Sequence, residues 1–181
     1  MKKITTPLSD KLLKNLKTGD EVLLSGIIFT ARDAAHKRLM HCIAKTDCAA
    51  PCDLSKFVSL LKGSVIYYTG PSPEKPGSVI GSCGPTSSYR MDSYLSVLLK
   101  YGVKATIGKG PRSEEAKNSM KKYRAVYFAA TGGAGALLSK CVKKSEIIAC
   151  KDLGCEAIRK LEVKDLPLIV INDIYGGDFY K

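Results

Sequence analysis

The sequence predicts one α/β domain, and three observations carry that expectation. Beyond about residue 100, short β-rich apolar runs alternate with segments of helical periodicity, the pattern of a layered sheet with helices. Gly- and Pro-rich turns join these runs, with no long linker, internal repeat or low-complexity tract. The length of 181 residues, 45% hydrophobic and 25% charged, suits a single globular domain over residues 1–181. No apolar run approaches the roughly 20 residues that cross a bilayer. The start, Met1 to Asp10, is basic but lacks the apolar core of a signal peptide. The expected compartment is the cytoplasm, with no membrane partner. The seven cysteines, odd in number and irregular in spacing, read there as free thiols.

Taken in order, Pro7 to Leu16 reads as a short helix with Ser9 as N-cap and Leu12, Leu13 and Leu16 on one face. Thr18-Gly19-Asp20 is a turn, and Glu21 to Thr30 a strand rich in Val, Leu and Ile. Asp33 is placed to cap a helix through Leu39. Residues 45–56 read as irregular. Ser64 to Thr69 is a strand, followed by a rigid loop with Pro71, Pro73 and Pro76. Gly84-Pro85 turns into a helix whose apolar positions are Tyr94, Leu95, Leu98 and Leu99. Val103 to Ile107 is a strand, and Ser113 to Tyr123 a polar helix with Glu114 and Glu115 favourably near its start. Ala125 to Ala130 is a buried strand, turned by Gly132 to Gly135 into a helix over Ala136 to Val142. Ile147 to Cys150 is a short strand, Glu156 to Leu161 a helical turn, and Leu166 to Ile171 a strand.

Four stretches are candidates for chemistry. In Gly84-Pro85-Thr86-Ser87-Ser88-Tyr89-Arg90, a helix start would offer free N–H groups and partial positive charge to an anion. Thr86 and Arg90 are four residues apart, so a helix that begins early puts a hydroxyl and a guanidinium on one face. An ordinary N-cap is the alternative. Arg32 stands where a strand hands over to a helix, with His36 one turn on; the alternative is a helix capped by Asp33 with an ordinary histidine. Lys109, between two glycines after a strand, is able to neutralise a carboxylate or oxyanion; the plainer reading is a basic turn. Thr131 to Ala136, with Asp152 beyond, imitates a dinucleotide fingerprint, but Leu138 stands where a small residue is needed, and a tight turn with close packing fits better.

Other chemistries are poorly served. Cys48 and Cys52, with His41 and Cys42, match neither zinc nor iron–sulfur spacings. No Walker loop and no Gly-x-Ser-x-Gly elbow is present. The formal charge of +12 is spread over the chain, and no long basic run interleaves with aromatics, which weighs against nucleic acid as a partner.

Together these segments resemble the β subunit, or C-terminal domain, of the iron–sulfur hydro-lyases, class I fumarase and L-tartrate dehydratase. The matching words are Ser25-Gly26, Ala31-Arg32-Asp33-Ala34-Ala35-His36, Gly84-Pro85-Thr86, Arg90-Met91-Asp92-Ser93-Tyr94, Ile107-Gly108-Lys109-Gly110, Gly132-Gly133, Ala136-Leu137-Leu138 and Asp152 to Ala157, closing with Asp173 to Phe179. The resemblance implies a swivelling β/β/α domain, a mixed sheet with flanking helices. It also implies half an enzyme: a separate α subunit would hold a [4Fe–4S] cluster on three cysteines, its open iron would act as a Lewis acid on the substrate hydroxyl, and none of the cysteines here falls at a cluster position. Arg32, Arg90 and Lys109 then look like dicarboxylate-binding residues and Thr86 like the proposed catalytic base. Tyr89 departs from the pattern, which commonly has a small residue there.

The expected function is therefore the β subunit of a two-subunit fumarate hydratase in a hetero-oligomer with its α subunit. The alternatives are the β subunit of L-tartrate dehydratase and, in a different class, a basic non-catalytic binding domain for nucleic acid or another acidic partner.

Overall fold

The computed structural model describes residues 1–44 and 52–181. Among these residues, seven strands form one mixed sheet: β1 (Lys2–Thr5), β2 (Glu21–Thr30), β3 (Val65–Tyr67), β4 (Ala105–Gly108), β5 (Val126–Ala129), β6 (Val142–Ala149) and β7 (Ile158–Asn172). Neighbours β1 to β5 pair in parallel, and β7 runs antiparallel to β2, β5 and β6. Because β7 pairs with both β5 and β2, strands β2-β3-β4-β5-β7 close into a ring, with β1 and β6 added outside it. Among the described residues, six helices flank the sheet: α1 (Asp10–Leu13), α2 (Asp33–Ala44), α3 (Cys52–Ser59), α4 (Asp92–Lys100), α5 (Glu114–Tyr123) and α6 (Gly135–Ser139). No helix among the described residues is long and apolar enough to cross a membrane.

Closure gives the ring strands two buried faces. Val65, Tyr67, Val126 and Phe128 join the core inside the ring, whereas Ile66, Tyr68 and Tyr127 join a second core beneath α2 to α5. Strands covered on both sides read as unbroken apolar runs, which is how β3 and β5 stand out in the sequence.

The mixed sheet and flanking helices agree with the sequence reading, as do several local details. β2 spans Glu21–Thr30 as expected. The Ser9 side chain caps α1 by accepting from Leu12 N–H, and Ser113 caps α5 by accepting from Ala116 N–H.

Other expectations need correction. Glu156 to Leu161 is not a helical turn: Lys151–Glu156 forms a 3-10 segment, and the chain then enters β7. Its helix-favouring residues are overridden because β7 is paired along both edges, with β2 on one and β6 and β5 on the other. β1 has no clear signal in the sequence because it is an outer strand that buries only Ile4. The irregular stretch expected at 45–56 lies partly outside the described residues, and its remainder begins α3. Val142 opens β6 rather than ending a helix. One more correction bears on the site: Thr86 is not helical.

Candidate active site

Thr86 lies in an extended segment wedged between the ends of β3 and β4. Its N–H donates to Tyr68 O at 2.7 Å, and its carbonyl accepts from Lys109 N–H at 3.1 Å. Ser88 N–H then donates to Lys109 O at 2.9 Å. Only after this does the chain coil, as a 3-10 turn over Ser88–Met91 that leads into α4. Thr86 and Arg90 therefore share no helix face. They are neighbours of the same strand ends, and the backbone of Thr86 is tied directly to Lys109.

The segment is held from below. Ser88 is fully buried, and its hydroxyl donates to the Tyr127 hydroxyl at 2.9 Å, which in turn donates to Gly110 O at 2.8 Å. Gly108 leaves room for this contact; a Cβ there would overlap Ser88 Oγ and lie 3.2 Å from Thr86 O. Nearby, Arg112 is buried and paired through Nε with Asp92 at 2.6 Å and through Nη1 with Thr106 at 3.1 Å. Upstream, Thr69 Oγ1 donates to Gly84 O at 2.7 Å. Gly135 packs so closely on this loop that a Cβ on it would sit 2.8 Å from Gly84 N. Within the fingerprint-like stretch, Gly135 thus serves close packing, whereas Gly133, with open space around it and φ 79°, serves the turn.

Arg32 follows β2 and opens α2, its carbonyl accepting the N–H of His36 at 2.8 Å. The guanidinium lies against Gly70, where a Cβ would come within 2.8 Å of Nη1. Its nearest carboxylates are Asp33 and Glu156, each 3.6 Å from Nη2, and its Nε is enclosed without a hydrogen-bond partner among the described residues. Arg90 Nη2 is 2.7 Å from Asp33 Oδ2. Lys109 is exposed, and its stem runs along the bare face of Gly132. The four expected residues therefore gather at the carboxyl ends of parallel strands β2, β3 and β4, where open α/β sheets collect their ligands.

His36 lies behind this face rather than in it. It is fully buried between the rings of Tyr68 and Tyr94, each 5.5 Å away, and Nδ1–H donates to Arg32 O at 2.8 Å. Burial pushes its pKa down to about 4, so the ring is neutral near pH 7. It steadies the backbone of Arg32 instead of handling protons.

Two carboxylates at this face have roles that sequence reasoning missed. Asp33, expected as a cap, is the first residue of α2 and faces Arg90. The capping role falls to Glu156, whose Oε2 accepts the Ala34 N–H at 2.8 Å across 122 positions of chain. Spacing gives no signal for a cap that distant; only the recurrence of the 152–157 word hints that the segment matters.

Among the described residues, no three His, Cys, Asp or Glu side chains gather as a metal site. Cys48 and the side chain of Cys52 lie outside those residues.

Residues 2–181 match the family described as Fumarase C-terminus. The chain belongs to that family. Among its relatives, a proposed L(+)-tartrate dehydratase subunit beta of Methanocaldococcus jannaschii is 38% identical over 180 residues, covering 96% of this chain and 88% of that protein. Fumarate hydratase 2 of Leishmania major is 35% identical over 171 residues, 93% of this chain but 29% of its own length. The anaerobic class I fumarate hydratase of Escherichia coli is 36% identical over 160 residues, 87% of this chain and 28% of the enzyme. This member of the Fumarase C-terminus family thus spans about a third or less of the fumarate hydratases it matches, and nearly all of the beta-subunit relative.

Proposed function

We propose that this chain is the β subunit of a two-subunit, iron–sulfur fumarate hydratase, which catalyses the reversible hydration of fumarate to L-malate, and that its closed sheet is the swivelling β/β/α domain of that assembly in the cytoplasm. The observation that carries the proposal is Arg32. A partly enclosed guanidinium that makes no hydrogen bond among the described residues is costly unless a ligand completes it. Arg112, which is more deeply buried, is paired through Nε with Asp92 and through Nη1 with Thr106, leaving only Nη2 without a partner among the described residues. The contrast fits an Arg32 kept open for a substrate carboxylate.

Each arginine can hold a carboxylate through two parallel hydrogen bonds. Arg32 and Arg90 together suit a dicarboxylate, and Lys109 adds charge beside Thr86. Fixing both carboxylates aims a substrate C–H at one place, and on this proposal Thr86 takes that proton. A threonine hydroxyl is a weak base alone; Lys109 and Arg90 favour its deprotonated form and the charge that develops on the substrate carboxylate. Two guanidiniums, an ammonium and a hydroxyl are not iron ligands. The donor set does not fit the [4Fe–4S] cluster, which on this proposal belongs to a separate α subunit in a hetero-oligomer.

L-tartrate dehydration is a second reading, favoured by the match in length to the beta-subunit relative. Tyr89 bears on the choice. It stands beside Arg90 with 64% of its surface exposed, and on this proposal its ring takes space that a second substrate hydroxyl needs. The test is kcat/KM for fumarate, L-malate and L-tartrate in the enzyme assembled with its α subunit, wild type and Tyr89→Gly. Fumarate and malate are expected to lead, with tartrate gaining in Tyr89→Gly. Tartrate preferred by the wild type would establish the second reading.

A further inference from the structure

Asp33 is the one carboxylate shared by the two site arginines among the described residues. Its Oδ2 lies 2.7 Å from Arg90 Nη2 and 3.6 Å from Arg32 Nη2. We infer that Asp33 is a positioning residue that sets the spacing of Arg32 and Arg90 for a dicarboxylate, an inference that rests on the proposed function.

The two ends of the Asp33–Arg90 pair are unequally fixed. Asp33 begins α2, whose first two turns are clamped from the far side of the chain. Glu156 accepts the Ala34 N–H, and Arg38 grips Asp152 with both nitrogens at 2.7 and 2.6 Å. A negative charge in this first turn is also favoured by the helix dipole. Arg90 stands instead on a one-turn 3-10 segment, with 41% of its side chain exposed. A long, exposed arginine samples many rotamers unless something holds it. The rigid member is therefore Asp33, and the placed member is Arg90.

Asp33 does not use up the group it places. It meets Arg90 as an ion pair without hydrogen-bond alignment, Asp33 Oδ2 having no hydrogen-bond partner among the described residues, so the N–H groups of Arg90 still form a fork for a second carboxylate. On its other side, Asp33 remains outside hydrogen-bonding distance of Arg32. One fixed anion between two cations also offsets the repulsion that would splay them in the absence of substrate.

The test separates a doubly held ligand from a singly held one. In the assembled enzyme, succinate and propionate are compared as inhibitors of fumarate turnover for wild type, Asp33→Asn, Asp33→Glu and Arg90→Ala. Asp33→Asn is expected to raise Ki for succinate and KM roughly tenfold, with kcat within about threefold. Propionate, held by Arg32 alone, changes by less than about twofold. Asp33→Glu restores part of the succinate affinity. Equal losses for both inhibitors, or none, would reduce Asp33 to a charge at a helix end and overturn the inference. Tighter succinate binding in Asp33→Asn would make Asp33 a competitor for Arg90 and overturn it as well. If Arg90→Ala leaves succinate inhibition unchanged, the dicarboxylate reading of the site itself fails, whatever Asp33→Asn does.

Discussion

At the residue scale, the candidate site joins groups that differ in how much the rest of the chain demands of them. Arg112 and Asp92 spend their charges on each other in the interior. Arg32 is partly enclosed and has Asp33 and Glu156 at 3.6 Å, beyond hydrogen-bonding distance, and Lys109 is exposed. Thr86 is more constrained, because its backbone N–H and carbonyl are both engaged while its hydroxyl donates to no described group. That division, a pinned backbone and a free hydroxyl, suits a proton-transfer group. Thr86→Ala is expected to lower kcat about 10²–10⁴-fold while leaving succinate inhibition nearly unchanged. Loss of succinate affinity with kcat at saturation preserved would make Thr86 a binding group only.

At the element scale, the site depends on how β3 and β4 hand over to their loops. Gly108 ends β4 directly under Ser88, and an added methyl would collide there and press on Thr86 O. Gly108→Ala is expected to cost about 1–3 kcal/mol of stability through overpacking. It should also lower kcat/KM more than a Tm loss alone accounts for, because Thr86 moves with Ser88. Normal kinetics in a folded Gly108→Ala enzyme would uncouple the strand end from the site. The same elements separate what is legible in the sequence from what is not. β2 and α5 are legible because their signals are local: a β-branched apolar run, and a Ser cap followed by two glutamates. Resemblance singles out Arg32, Thr86, Arg90 and Lys109 together, and the fold brings them to one face, but their arrangement is not legible. The spacing suggests a helix face, whereas backbone bonds to Tyr68 and Lys109, distant in sequence, hold Thr86 extended. β7 is hidden for the same reason, since its pairing partners lie far along the chain.

At the scale of the whole molecule, stability and function meet in the core beneath α2. His36 is buried there with Nε2 unpartnered among the described residues. Its folded pKa is about 4, against 6.5 for an unperturbed histidine in an open chain. The unfolded chain therefore takes up a proton below about pH 6.5 that the folded one refuses until about pH 4. Stability from this group is complete above the unfolded value and is lost as pH falls toward the folded one, by on the order of 3 kcal/mol. Thermal melts between pH 7 and pH 4 should show this decline, and His36→Phe should flatten it; parallel declines in the two proteins would remove His36 as the cause. The central claim is that one face of this chain, Arg32, Thr86, Arg90 and Lys109, is a dicarboxylate site completed by an iron–sulfur partner. Its most direct test is fumarate hydration by the chain alone, by the α subunit alone, by the two assembled, and by the assembly carrying Arg32→Ala. The account predicts turnover in the wild-type assembly only, with Arg32→Ala losing nearly all of it; turnover by this chain alone, or an Arg32→Ala assembly as active as wild type, would contradict it.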